Sequence, residues 1–167
     1  LLLDGQKTTG QLTVYDAELI VEFIDIGQGD AILIITPDGL AYLIDSGPSG
    51  SSSAIKDRLE FYGIQRLERV ILTHTDADHI GGLGNLLKGV DGVWGSADDL
   101  SVGAIIEDGT LDERTTQTAR TLNALISDRI PRIVAIPGDR IERPGGFVLH
   151  TVTAAGATLS STATSEA

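Results

Sequence analysis

From Glu18 onward the apolar residues fall into short runs divided by glycine-rich breaks. Leu19 to Ile26 and Ala31 to Ile35 are rich in β-branched residues and flank Gly27-Gln28-Gly29-Asp30, which predicts a hairpin with a glycine-rich turn. Pro37-Asp38-Gly39 marks a second turn, and Ala41-Tyr42-Leu43-Ile44-Asp45 reads as a third strand ending at Ser46-Gly47-Pro48. Asp45 therefore belongs at the C-terminal end of a strand. Ser49 to Ser53 form a loop that offers serine N-caps to an amphipathic helix, with Ile55, Leu59 and Tyr62 at helical spacing and Gly63 as its stop. Arg69 to Thr73 read as a short buried strand running straight into His74, and Gly81-Gly82 lead into a helix through Leu83, Leu86 and Leu87. Strand, polar loop and helix, in that order, is where α/β proteins place their sites.

The second half is less regular. Residues 89–101, dense in Gly and Asp, read as an inserted loop, and its acids Asp91, Asp98 and Asp99 lack the spacing of an EF-hand. Val102 to Ile106 read as a strand. Thr115 to Arg129 carry Ala119, Leu122, Leu125 and Ile126 at helical spacing. Ile133 to Ile136, Arg140-Ile141 and Phe147 to Val152 give short strands around Pro137-Gly138-Asp139 and Pro144-Gly145-Gly146. Residues 1–18 form a lead-in with a short edge strand near Leu12 to Tyr15, and residues 154–167, mostly Ala, Ser and Thr, read as a flexible tail or a truncated continuation. The expectation is one α/β domain over residues 1–167 with its core at 18–153.

Composition narrows the chemistry. At 41% hydrophobic and 22% charged residues the chain has globular proportions, and no apolar run approaches the roughly 18 residues of a membrane span. Cysteine is absent, which excludes disulfides and thiolate-ligated zinc and leaves histidine and carboxylate as the strong metal ligands. The formal charge of −12 repels a polyanion unless bound metals and a local basic patch reverse the field, and Lys56, Arg58, Arg66, Arg69 and Lys88 are the candidates to flank a phosphate path. The chain opens Leu1-Leu2-Leu3-Asp4 and holds no methionine, so it reads as an excised piece of a longer protein.

His74-Thr75-Asp76-Ala77-Asp78-His79 places four good ligands for a divalent cation within six residues, just after a buried strand. In a tight loop turning into a helix, His74 and Asp76 can face one ion while Asp78 and His79 reach a second. Such ions lower the pKa of water and stabilise an oxyanion on a carbonyl or phosphoryl group, so hydrolysis is the natural reaction. The blander reading is a solvated polar loop in which Asp78 caps a helix; the two histidines in register with the acids count against it.

With Ile80-Gly81-Gly82 this segment resembles the His-x-His-x-Asp-His metal motif of the metallo-β-lactamase superfamily, with Asp76 in place of the second histidine. That replacement, together with Ile24-Asp25-Ile26-Gly27-Gln28-Gly29-Asp30-Ala31 and Leu43-Ile44-Asp45-Ser46-Gly47, is similar to the extracellular domain of the ComEC/Rec2 competence proteins. The resemblance implies an αββα sandwich, of which this chain holds the N-terminal part. It implies two divalent ions, Zn2+ or Mn2+, with His74 and Asp76 on one and Asp78 and His79 on the other, and Asp78 orienting the attacking water. It further implies Asp45 as an acceptor that orients a ligand imidazole, Asp30 on the same rim, a DNA or other phosphodiester substrate, and an extracytoplasmic location. For Asp45 a strand-end cap, and for Asp30 a simple turn residue, stand as alternatives.

The resemblance covers Leu19 to Leu87 well and then thins. Where relatives carry a Pro-Gly-His ligand, this chain reads Thr153-Ala154-Ala155-Gly156-Ala157. His150 is the candidate substitute, against a packed, hydrogen-bonded histidine in an apolar strand. Two rival functions remain in view: a catalytically silent module of a larger extracellular protein, and a hydrolase of another ester, lactone or β-lactam.

Overall fold

The computed structural model describes residues 18–127 and 129–158. The anticipated strand near Leu12 to Tyr15 and the last part of the tail lie outside them. Strands β1 (Ile20–Phe23), β2 (Ile32–Ile35) and β3 (Ala41–Ile44) form an antiparallel meander, and β4 (Arg66–Ile71), β5 (Ser101–Glu107) and β6 (Arg132–Val134) extend it in parallel, in the order β1-β2-β3-β4-β5-β6. Crossover helices return the chain between the parallel strands: α1 (Ser52–Phe61), the short α2 (Ala77–Ile80) and α3 (Leu83–Leu87), and α4 (Gln117–Ile126).

The two faces of the sheet differ. One cross-strand row reads Glu22, Leu33, Leu43, Val70, Ile105, Arg132, in which the four apolar members are fully buried with the helical residues Ile55, Leu59, Leu83, Leu122 and Ile126. Helices on one side thus close a core, and each fully buried Leu or Ile contributes about 1.5–3 kcal/mol. The neighbouring row on the other face reads Phe23, Ile32, Ile44, Ile71, Ile106, Ile133. Phe23 is 76% exposed, Ile133 40%, and the four between them are half-buried and outside the core cluster. Among the described residues no second sheet covers this apolar face, as expected of the N-terminal part of a two-sheet sandwich. A hairpin of β7 (Arg140–Arg143) and β8 (Phe147–His150) covers a corner of it, with Phe147 against Tyr42 at 5.9 Å and Arg143 gripping Asp38 through Nε at 3.0 Å and Nη2 at 2.6 Å.

Several local expectations change. Ser51 sits at the N-cap of α1, yet its hydroxyl turns to the carbonyls of Ser46 and Pro48 and makes no cap bond. The helix ends as expected: Gly63 has φ +69, its N–H donates to Glu60 at 3.0 Å, and Ile64 N–H donates to Leu59 at 2.8 Å, a Schellman closure. Helix α4 is shorter than Thr115 to Arg129, because Thr116 caps it by accepting from Ala119 N–H and Pro131 follows soon after its end at Ile126. Ser101 already belongs to β5, so the inserted loop closes at Leu100. The loop's backbone engages its own acids: Asp98 accepts from Val90 N–H at 2.6 Å and Asp91 N–H at 3.1 Å, and Asp99 from Gly95 N–H at 2.6 Å. The tail begins with a two-residue hairpin, β9 (Thr153–Ala154) and β10 (Ala157–Thr158). Among the described residues no helix is long and apolar enough to cross a membrane.

Candidate metal centre

Three segments meet beyond the C-terminal ends of β3 and β4: the 45–49 loop, the 73–79 segment and the 27–30 turn. Their backbones are stitched together. Ser46 N–H donates to the His79 carbonyl at 2.7 Å and Gly47 N–H to the Asp30 carbonyl at 2.9 Å. Asp45 N–H reaches the Ile71 carbonyl at 2.8 Å, extending the β3–β4 pairing one residue past β3.

Asp45 is fully buried and adopts φ +54, a left-handed conformation that Asp tolerates better than most side chains. That conformation swings its carboxylate into the loop after β4. Oδ1 accepts from Thr73 N–H at 2.9 Å, Oδ2 accepts from the Thr73 hydroxyl, and the same Oδ2 stands 2.9 Å from His79 Nδ1. A carboxylate only accepts, so His79 carries its proton on Nδ1 and presents a lone pair on Nε2. Thr73 has one hydroxyl proton and gives it to Asp45, so toward His74 Nδ1, 3.0 Å away, it can only accept. His74 then also carries its proton on Nδ1 and offers Nε2. One buried carboxylate sets the tautomer of both imidazoles, whose ring centroids are 3.8 Å apart.

The acids of the motif sit around this pair. Asp76 occupies the N-cap position of α2 without a side-chain cap bond, and its Oδ2 lies 3.7 Å from His74 Nε2. Asp78, in the first turn of α2, accepts from Gln28 Nε2 at 3.2 Å. That hydrogen bond, above all, holds its carboxyl below the ordinary carboxylate range. The Asp76 carboxylate makes no cap bond to the helix, and that of Asp78 turns to Gln28. Asp30 lies on the rim, its Oδ2 3.7 Å from His79 Nδ1 and farther than Asp45 from the same nitrogen.

Asp45, His74 and His79 bring ligand-type atoms within 4.8 Å of one another, and Asp76 and Asp78 fall outside that tightest group. Both Asp45 oxygens are already engaged by Thr73 and His79, so Asp45 suits the role of orienting a ligand. The donor set left over, two imidazole Nε2 atoms and the carboxylates of Asp76 and Asp78, fits divalent cations. His150 is not brought to the site or into the core; it is exposed on β8 opposite Arg140. The proposed phosphate path does not assemble: Arg58 pairs with Glu22 at 2.6 Å, Arg69 with Glu68 at 2.7 Å, Lys56 with the Gly89 carbonyl, and Arg66 with Glu68 and Ser101 at the far end of β4. Lys88 ends α3. Sequence reasoning missed Thr73 and Gln28, two neutral residues whose roles appear only once the segments meet.

The profile of the Metallo-beta-lactamase superfamily matches residues 24–161. The chain belongs to that superfamily. Its members are hydrolases that bind divalent metals, and the His/Asp cluster is the possible metal site here. Recombination protein 2 of Haemophilus influenzae is 42% identical over 74 residues, covering 41% of this chain and 9% of that protein. Among solved structures, the metallo-β-lactamase SMB-1 bound to 2-mercaptoethanesulfonate is similar at a TM-score of 0.50 and 16% identity, over 73% of this chain and 46% of that one. MEM-A1, a subclass B3 metallo-β-lactamase isolated from a soil metagenome library, gives 0.50 and 15%, over 74% and 46%. These two share the fold. The chain spans about half their length and a small part of the curated relative.

Proposed function

We propose that the site is a two-ion hydrolytic centre acting on a phosphodiester, with His74 and Asp76 holding one divalent ion and Asp78 and His79 the other, either Zn2+ or Mn2+. The observation that carries this reading is the shared buried acceptor: Asp45, directly at His79 and through Thr73 at His74, leaves Nε2 of both imidazoles free, that of His74 3.7 Å from Asp76 Oδ2. Bound ions would lower the pKa of water and stabilise the charge that develops on the attacked group. Asp78, beside Gln28, would orient the attacking water. Replacing an imidazole by the Asp76 carboxylate hardens one position and favours manganese there.

The name of the Haemophilus influenzae relative supports a nucleic-acid substrate; the extracytoplasmic location we propose rests on the motif resemblance alone. A second reading, a smaller or uncharged ester, is favoured by the −12 charge and by the ion pairs that occupy Arg58 and Arg69 away from the site.

The test is metal content and hydrolysis of bis(p-nitrophenyl) phosphate by the purified chain, alongside the Asp78→Ala, His79→Ala double variant. Binding of two ions with metal-dependent turnover, both lost in the variant, supports the reading. Binding without turnover of any ester leaves a silent module, and turnover of a lactone alone moves the substrate class.

A further inference from the structure

The turn between β1 and β2 is pressed against α2 more closely than a side chain allows. Gly29 has φ +98, and a Cβ placed on it would stand 1.9 Å from the carbonyl oxygen of Asp78. Gly47 N–H fixes the same turn from its other side through the Asp30 carbonyl. The residue carried on this fixed support is Gln28, which reaches 50 positions along the sequence to the Asp78 carboxylate, 3.2 Å away. A carboxylate has no proton to give, so the amide nitrogen must face it and the contact is N–H to oxygen in one sense only. It engages Oδ2, while Oδ1 accepts from no other described residue.

Resting on the two-ion reading above, we propose that Gln28 is a positioning residue that locks Asp78 in one rotamer, with Oδ1 aimed at the ion shared with His79. The orienters divide by ligand type: Asp45 holds both imidazoles from the buried side, one directly and one through Thr73, and Gln28 holds the Asp78 carboxylate from the solvent side. The neutrality of the amide matters. A donor without charge fixes Asp78 while leaving its full negative charge for a cation, which a lysine or arginine at this place would cancel.

The experiment is a calorimetric titration of Mn2+ and of Zn2+ into the chain and into Gln28→Met, which keeps the length of the side chain and removes the donor, and Gln28→Ala. Expected is a ~10–100-fold loss of affinity for one of two ions in both variants. The other ion's affinity and the thermal unfolding midpoint should stay as in the parent. Equal weakening of both ions would mean general damage to the turn and would overturn the proposal, as would unchanged binding in Gln28→Met. Parent protein that binds two ions while the variants match it defeats only the role of Gln28, whereas parent protein that binds none defeats the two-ion reading and this proposal together.

Discussion

The hydroxyl oxygen of Thr73 lies 3.0 Å from Nδ1 of His74, and it can only accept there because its proton is committed to Asp45. Thr73→Val removes that acceptor and frees the ring to place its proton on either nitrogen. Metal affinity should fall ~10–100-fold, as is usual when the partner of a ligating histidine is lost. Thr73→Ser keeps the hydroxyl and should bind close to the parent. Calorimetric titration of both variants decides the matter, and equal affinities would dismiss the relay.

A comparison of two glycines in one turn separates backbone conformation from crowding. Gly27 has φ +79 with nothing within 4 Å of an added Cβ, whereas Gly29 has φ +98 and the Asp78 carbonyl in the way. Gly27→Ala should destabilise the fold by about 1–2 kcal/mol, the usual cost of a left-handed side chain. Gly29→Ala should exceed that and also weaken metal binding, because α2 must retreat. Urea denaturation of the pair measures the difference.

How much of this was readable beforehand depends on whether a residue's role is local. The strand and helix order, the end of α1 at Gly63 and the gathering of His74 and His79 follow from periodicity and from a motif within one stretch of chain. Gln28 and Ser51 were not readable, since their partners lie on other segments or were carbonyls rather than the expected amides. The basic residues misled in part for the same reason: Arg58 on α1 meets Glu22 on the distant β1, whereas Arg69 meets its neighbour Glu68, and charge counts along the sequence do not show which partners are taken.

Acid should open the 89–100 loop before it melts the core. Hydrogen bonds to Asp98, first from Ser96 and then from the backbone of Asp91 and Val90, hold its carboxyl down at about 2, against the usual 3.8. A depressed value means the carboxylate stabilises the fold fully above 3.8 and loses that contribution as pH falls toward 2. Trp94 lies in the loop and packs on the core, so its fluorescence should shift over that window. The shift should be absent in Asp98→Asn, and a parent spectrum flat from pH 5 to pH 2 would refute the assignment.

Tyr42 is fully buried on the uncovered side of the sheet, against Phe147, and its hydroxyl has no hydrogen-bond partner among the described residues. Burial pushes its phenol upward, since the charged form is the more costly one there. Tyr42→Phe should therefore be neutral or stabilising by up to about 1 kcal/mol. A clear loss of stability in urea would reveal a partner for the hydroxyl.

The row of buried aliphatics that carries the core ends in Glu22 on β1 and in Arg132 on β6, and each has an internal counter-ion, Arg58 for the first and Glu107 for the second. A strand from another molecule laid along either margin would have to bury that ion pair beneath its own side chains, while gaining only backbone hydrogen bonds. The sheet is therefore self-limiting in width. The two ion pairs thus work against endless lateral growth, which is the route from a folded sheet to a fibril.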